Sequence, residues 1–157
     1  MNTTQAPAVL NAAQAIAVAG FDIANLSAPA TRVTFDVPVL FNQDGDPIAG
    51  IRIVGKNSPE YRAQYHANRA EGYQRSARKS TAIDATTDVG ADELVQVIDD
   101  NDKRVALAVA VEWWGFTSDG VEVPLDRDVL AAAYEKYPTW VDRVTAALGV
   151  DANFLKA

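Results

Sequence analysis

The chain has 157 residues, of which 48% are apolar and 22% charged, and a formal net charge of −7. That balance belongs to a packed globular protein rather than a disordered chain, and the length suits one core. The absence of cysteine excludes a disulfide framework, a thiolate metal site and a cysteine nucleophile, while the acidic balance repels nucleic-acid backbones and anionic lipid in bulk.

In chain order, Met1 to Pro7 are small and polar and read as a loose arm. The first basic residue is Arg32, so the apolar stretch Ala8 to Ala19 lacks the positive region of a secretory leader. Gln, Asn, Asp or Gly interrupts every apolar run before the roughly 20 residues needed to cross a bilayer, so a soluble protein without a membrane partner is expected. Val9 to Ala19 is a candidate short helix, ended by Phe21-Asp22-Ile23 and the Ser27-Ala28-Pro29 punctuation. Residues 1–31 are therefore assigned to an N-terminal arm with a short helix, and 32–157 to one globular domain.

Val33, Phe35, Val37 and Val39 alternate with Thr34, Asp36, Pro38 and Leu40, the period-two pattern of a half-buried strand. Pro38 has no N–H for a ladder, which makes this strand an edge or ends its pairing. Asn42 to Pro47 is a turn, with Asp44-Gly45 supplying positive φ, and Ile48, Ile51, Ile53 and Val54 form a second strand ending at Gly55. Together they predict a β-hairpin over 32–56.

Ser58-Pro59-Glu60 is a helix start: Ser58 can cap backbone donors, Pro59 suits the first helical position and Glu60 complements the dipole. A helix is expected over 59–79, with a thin apolar face of Tyr61, Tyr65 and Tyr73 and with Arg62, Arg69, Arg75, Arg78 and Lys79 around it. After a loop at Thr81 to Gly90, the recurrence of Leu94, Val95, Ile98, Val105, Val109 and Trp113 predicts a helix over 91–114, stopped by Gly115. A rival reading breaks it at Asp99-Asp100-Asn101-Asp102 and makes Val105 to Val111 a strand; good helix formers favour the helix. Thr117 to Gly120 is a turn, Val121 to Leu125 is extended, and two helices follow over 126–136 and 138–148, with Pro138 fixing the corner. Phe154-Leu155 anchors the tail. The fold class is α+β: a predominantly α-helical domain with an N-terminal β-hairpin.

Catalytic constellations are hard to build from these residues. His66 is the single histidine, and no nucleophile elbow precedes a helix. Asn42, Asp44 and Asp46 imitate the first ligands of a calcium loop, but Pro47 stands where glycine is required and Ile53 where a bidentate carboxylate is required. No glycine-rich phosphate loop lies between strand and helix, and Asp99, Asp100 and Asp102 read as a solvated face. No catalytic, cofactor-binding or metal-binding residue is assigned. The basic helix has two readings. Its tyrosines among arginines could stack on single-stranded nucleic acid, or the helix could dock on the acidic half of its own chain or of a neighbouring copy; the second is preferred.

Taken in order, the signatures resemble one family. Gly50-Ile51-Arg52-Ile53-Val54-Gly55-Lys56-Asn57-Ser58-Pro59-Glu60-Tyr61-Arg62, an arginine-rich helix, Trp113-Trp114-Gly115-Phe116, Asp119-Gly120, Val123-Pro124-Leu125-Asp126, Tyr137-Pro138 and Asn153-Phe154-Leu155 together look like the tail assembly chaperones of siphophages. The likeness covers Arg32 to Leu155. It departs in its longer Ala-rich N-terminal stretch and in a doubled Trp113-Trp114 where a single tryptophan is expected.

The resemblance implies a non-enzymatic phage protein of the host cytoplasm that covers the apolar stripes of the tape measure protein, and works with other tail proteins, until the tube assembles. It also implies two lengths made by ribosomal frameshifting, with Asn153 to Ala157 as the place to look in the coding DNA. Aromatic residues would give contact area at little entropic cost, and the candidate partner-binding residues are Trp113, Trp114, Phe116, Tyr61, Tyr65, Trp140 and Phe154. Trp113 and Trp114 would stand about 100° apart on a helix, so one of them is free for contact unless both line the interior with Trp140 and Phe116. Homo-oligomerisation is compatible with this role. The alternative is a structural virion protein, such as a minor tail, connector or capsid-decorating subunit.

Overall fold

A computed structural model describes residues 32–78 and 80–155. The expected arm and short helix of residues 1–31 lie outside the described residues, as does Lys79.

Two strands open the fold, β1 (Thr34–Phe41) and β2 (Pro47–Val54), paired antiparallel as a hairpin. Its turn is built by Asn42, whose side-chain oxygen accepts from the backbone N–H of Asp44 at 3.0 Å and of Asp46 at 2.8 Å. Of the Asp44-Gly45 pair only Gly45 takes positive φ, at 88°. Next come α1 (Pro59–Ala77) and α2 (Asp88–Val109), then strand β3 (Ala110–Trp114), a small ribbon of β4 (Thr117–Ser118) and β5 (Val121–Glu122), and helices α3 (Arg127–Lys136) and α4 (Pro138–Leu148). A single 3-10 turn at Asp151–Phe154 ends the described chain. The class is mixed α+β with the hairpin first, as the alternation and capping signals predict.

The principal sheet has the order β1-β2-β3. Val37 faces Ile51 and Ile51 faces Trp113, so one surface of the sheet is a row of large apolar side chains. They pack on Leu130 and Tyr134 of α3, Trp140, Val141, Val144 and Leu148 of α4, and Ala106 and Val109 of α2, all buried. On the opposite surface Asp36, Arg52 and Glu112 are register partners, and the Arg52 guanidinium bonds both carboxylates. Gly50 lies between Pro38 and Trp114 in the ladder, and the Trp114 indole covers it; a Cβ there would stand 2.5 Å from Trp114 Cζ2 and 2.7 Å from the Val37 carbonyl.

The expected helix over 91–114 differs at both ends. It begins at Asp88, capped by the Thr87 hydroxyl accepting from Gly90 N–H, and runs through Asp99 to Asp102 without a break. It stops at Val109, and the last five expected helical residues are β3. Two causes combine. Val111, Trp113 and Trp114 are β-branched or aromatic and suit a strand, and β2 would otherwise leave a central edge unpaired. Arg127 fixes the switch by donating to the carbonyls of Leu107 at 2.7 Å and Ala110 at 3.3 Å, groups a continuing helix would consume.

Candidate functional site

On α1, Tyr61, Tyr65, Arg69 and Tyr73 recur every four residues and so share one face. The rings of Tyr61 and Tyr65 stack with centroids 5.8 Å apart, and the Arg69 guanidinium carbon sits 5.7 Å from the Tyr65 centroid and 5.6 Å from that of Tyr73. Arg69 also donates to the Tyr73 hydroxyl at 2.7 Å. Ring, ring, cation and ring thus make a continuous ladder about 18 Å long at 1.5 Å per residue.

The facing wall is α2. Asn101, Asp102 and Val105 line its inner part, and the end of α4 with Thr145, Leu148 and Gly149 closes the base, leaving a cleft of about 460 Å³. One and two turns further out on the same face of α2 stand Ile98 and Leu94, 51% and 40% exposed, with Val95 beside them at 56%. This outer half of the helical hairpin stands clear of the core: α1 buries no residue, and the buried residues of α2 are Ala106 and Val109 near its end and Gly90 under the Asp84 loop. The result is an open groove, apolar on the α2 side and aromatic on the α1 side.

Electrostatics mark the inner end. Burial, with the nearby charges of Asp99 and Asp142, holds the Asp102 carboxyl above its ordinary value. Burial, with Tyr65 and Asp102, pushes the Tyr61 phenol up. The basic helix docks on α2 with less charge pairing than its sequence invites. Among the described residues the ion pair joining α1 to α2 has the reverse polarity, Glu71 of α1 with Arg104 of α2 at 2.6 Å. Arg69 lies against two tyrosines of its own helix, both of them exposed.

The seven aromatic residues singled out from sequence do not share a surface. Tyr61 and Tyr65 lie in the groove. Trp113, Phe116 and Trp140 form an interior cluster with centroids 4.8 and 5.9 Å apart, and Trp113 and Trp140 are buried. The Trp113 indole N–H donates to the Val123 carbonyl at 2.7 Å, which ties β3 to the segment entering α3. Trp114 separates from Trp113 by the alternation of a strand, not by the 100° of a helix, and lies partly buried over Gly50; its indole N–H meets no acceptor among the described residues. Phe154 packs edge-on against Phe35 at 6.1 Å and over Gly55, pinning the terminal turn to the sheet.

Leu94, Val95 and Ile98 are the groove residues that sequence reading passed over. Their spacing is legible, but it reads as a core face, because nothing local says that α4 crosses α2 too far along to cover them. His66 is exposed beside Tyr65, ring centroids 6.3 Å apart. Among the described residues no three His, Asp or Glu side chains gather as metal ligands would, and no helix is long and apolar enough to cross a membrane.

The fold and groove define an α+β protein with a projecting helical hairpin. Comparison with known proteins returns nothing further: no family model matches the chain, and no curated protein or solved structure matches it.

Proposed function

We propose that this protein is a phage tail assembly chaperone, not an enzyme, that binds the tape measure protein in the host cytoplasm and keeps it soluble until the tail assembles. The observation that carries the reading is the apolar stripe of Leu94, Val95 and Ile98, exposed among the described residues, beside the tyrosine ladder of α1. A long helical client has apolar stripes of the same width, and a groove of two or three helical turns gives weak, repeatable contact rather than permanent capture. The net charge of −7 keeps the covered complex soluble.

Co-expression tests it. With the wild-type chain the tape measure protein is expected in the soluble fraction, and with the Leu94→Glu/Ile98→Glu double variant it is expected in the pellet. Equal solubility with and without the wild-type chain would remove the reading.

A second reading, a structural virion subunit, is favoured by the sheet. The order β1-β2-β3 leaves the outer edge of β1 open among the described residues, and Leu40, Phe41 and Ile48 at the hairpin end are exposed. Mass spectrometry of purified particles separates the two: a stoichiometric amount of this chain in finished virions supports the subunit, and its absence supports the chaperone.

A further inference from the structure

The outer half of the helical hairpin fits a second copy of the same chain. We propose that two copies pair their hairpins face to face, α1 of each across from α2 of the other, so that the tyrosine ladder of one copy covers the Leu94, Val95 and Ile98 stripe of its partner. The pairing uses the groove but not the client, so it stands or falls apart from the chaperone reading.

Charge is the first argument. From Asp88 to Asp100, α2 carries five carboxylates and no cation. From Arg62 to its cap Arg78, α1 carries four arginines against Glu71 alone. Within one copy these opposite charges do not meet. Arg62, Arg69, Asp92 and Asp99 enter no ion pair among the described residues, and the pair found between the two helices, Glu71 with Arg104, has the reverse polarity. The reason is geometric. The helices touch at Asn68 and Asn101; Arg69 stands about 100° around its helix from the first, and Asp99 about 200° around its own from the second. Both charges are therefore turned to the rim of the groove, where a partner can reach them.

Register and size agree with it. The hydrogen bond from Asn68 to the Asn101 carbonyl puts Arg69 level with Asp99, and Tyr73 level with Val95, to within about one residue of rise along the antiparallel hairpin. A two-fold axis running along the hairpin keeps each residue at its level, so it brings Arg69 of each copy to Asp99 of the other and Tyr73 to Val95, twice. Pairing α1 on α1 would instead set arginines against arginines and the α2 carboxylates against each other. The end of α4, at Thr145, Leu148 and Gly149, fills the base of the same face, which confines contact to the outer half and makes the two hairpins diverge toward their cores. A patch about 18 Å long and two helices wide falls at the small end of interface sizes. The pair therefore exchanges with monomer and leaves the groove open at low concentration.

Sedimentation of the purified full chain tests it, with circular dichroism confirming that each variant folds; all the substituted positions are exposed. As protein concentration rises through the micromolar range at low salt, the wild-type mass is expected to move from that of one chain to that of two. Leu94→Glu/Ile98→Glu is expected to stay monomeric. Arg69→Asp alone and Asp99→Arg alone each set like charges together in both contacts, and each is expected to weaken the dimer about ten-fold or more. An equimolar mixture of those two variants restores opposite charges in both contacts and is expected to dimerise within a few-fold of wild type. A wild-type chain that stays monomeric throughout would overturn the proposal, and would leave the groove to another part of the chain or to a client. A dimer that survives Leu94→Glu/Ile98→Glu would place the interface elsewhere and overturn it too. So would a dimer that either charge variant leaves unchanged or that their mixture fails to restore, since only the crosswise arrangement joins position 69 to position 99.

Discussion

Single side chains set the boundaries on which the groove depends. Ser58 is fully buried, and its hydroxyl accepts from the Tyr61 backbone N–H at 3.2 Å, so the residue that starts α1 also aims the first tyrosine of the ladder. Ser58→Ala removes that acceptor and is expected to cost about 1 kcal/mol, read as a lower denaturant midpoint with an unchanged slope. Asp102 acts in the other direction. Its carboxyl sits above the ordinary value because burial and the charges of Asp99 and Asp142 disfavour ionisation, with Lys103 on the same helix and Tyr61 across the cleft as its other titratable neighbours. A carboxyl raised in the folded state destabilises it once ionised, and the penalty is relieved as pH falls through the folded value. Asp102→Asn is therefore expected to raise the thermal midpoint at pH 7, with the gain shrinking as pH falls toward 4; a gain independent of pH would show that charge is not its cause.

At the scale of elements, α2 is one helix with two environments. Its last turn packs into the core through Ala106 and Val109, while its outer half presents Leu94, Val95 and Ile98 to solvent. Burial decides what a change costs in each. Leu94→Glu and Ile98→Glu, on exposed positions, are each expected to alter stability by no more than about 0.5 kcal/mol. Leu130→Ala on α3, a fully buried leucine, is expected to cost about 2 to 5 kcal/mol. Chemical denaturation of the three variants checks the contrast, and a large loss at Ile98 would mean that the stripe is packed in solution. α1 shows the complementary case. With no buried residue, it is held by its cap, by the partly buried Tyr61 against the core, by Glu71 with Arg104, and by Asn68 donating to the Asn101 carbonyl at 3.3 Å.

For the whole molecule, the core is the sheet's apolar face closed by α3, α4 and the end of α2, and Trp113 is a member of it. Its ring meets Phe116, which meets Trp140 of α4, and its N–H holds Val123. Trp113→Ala is expected to cost about 3 to 5 kcal/mol and to lower the midpoint seen by backbone and aromatic circular dichroism together, since no part of the core excludes it. A loss confined to one signal would mean that the sheet and the helices melt separately. The seven aromatic residues that sequence reading offered to a partner thus divide between tasks: Trp113, Phe116 and Trp140 cluster at the core, Trp114 covers Gly50, Phe154 pins the terminal turn, and Tyr61 and Tyr65 line the groove.

The sequence by itself determined what local chemistry can determine. The alternation of Val33 to Val39, the Asn42 turn, the Ser58-Pro59 cap and Pro138 each act within a few residues of themselves, and the hairpin and the starts of α1 and α4 stand where those signals put them. Ala110 to Trp114 and the Leu94 stripe were settled only by the tertiary structure. Ala110 to Trp114 carries periodicities compatible with helix and strand alike, and the choice fell to the unpaired edge of β2, sixty residues away in sequence. Leu94, Val95 and Ile98 have a helical apolar pattern whether or not anything covers them, because burial depends on where α4 crosses, which no property of those three residues encodes.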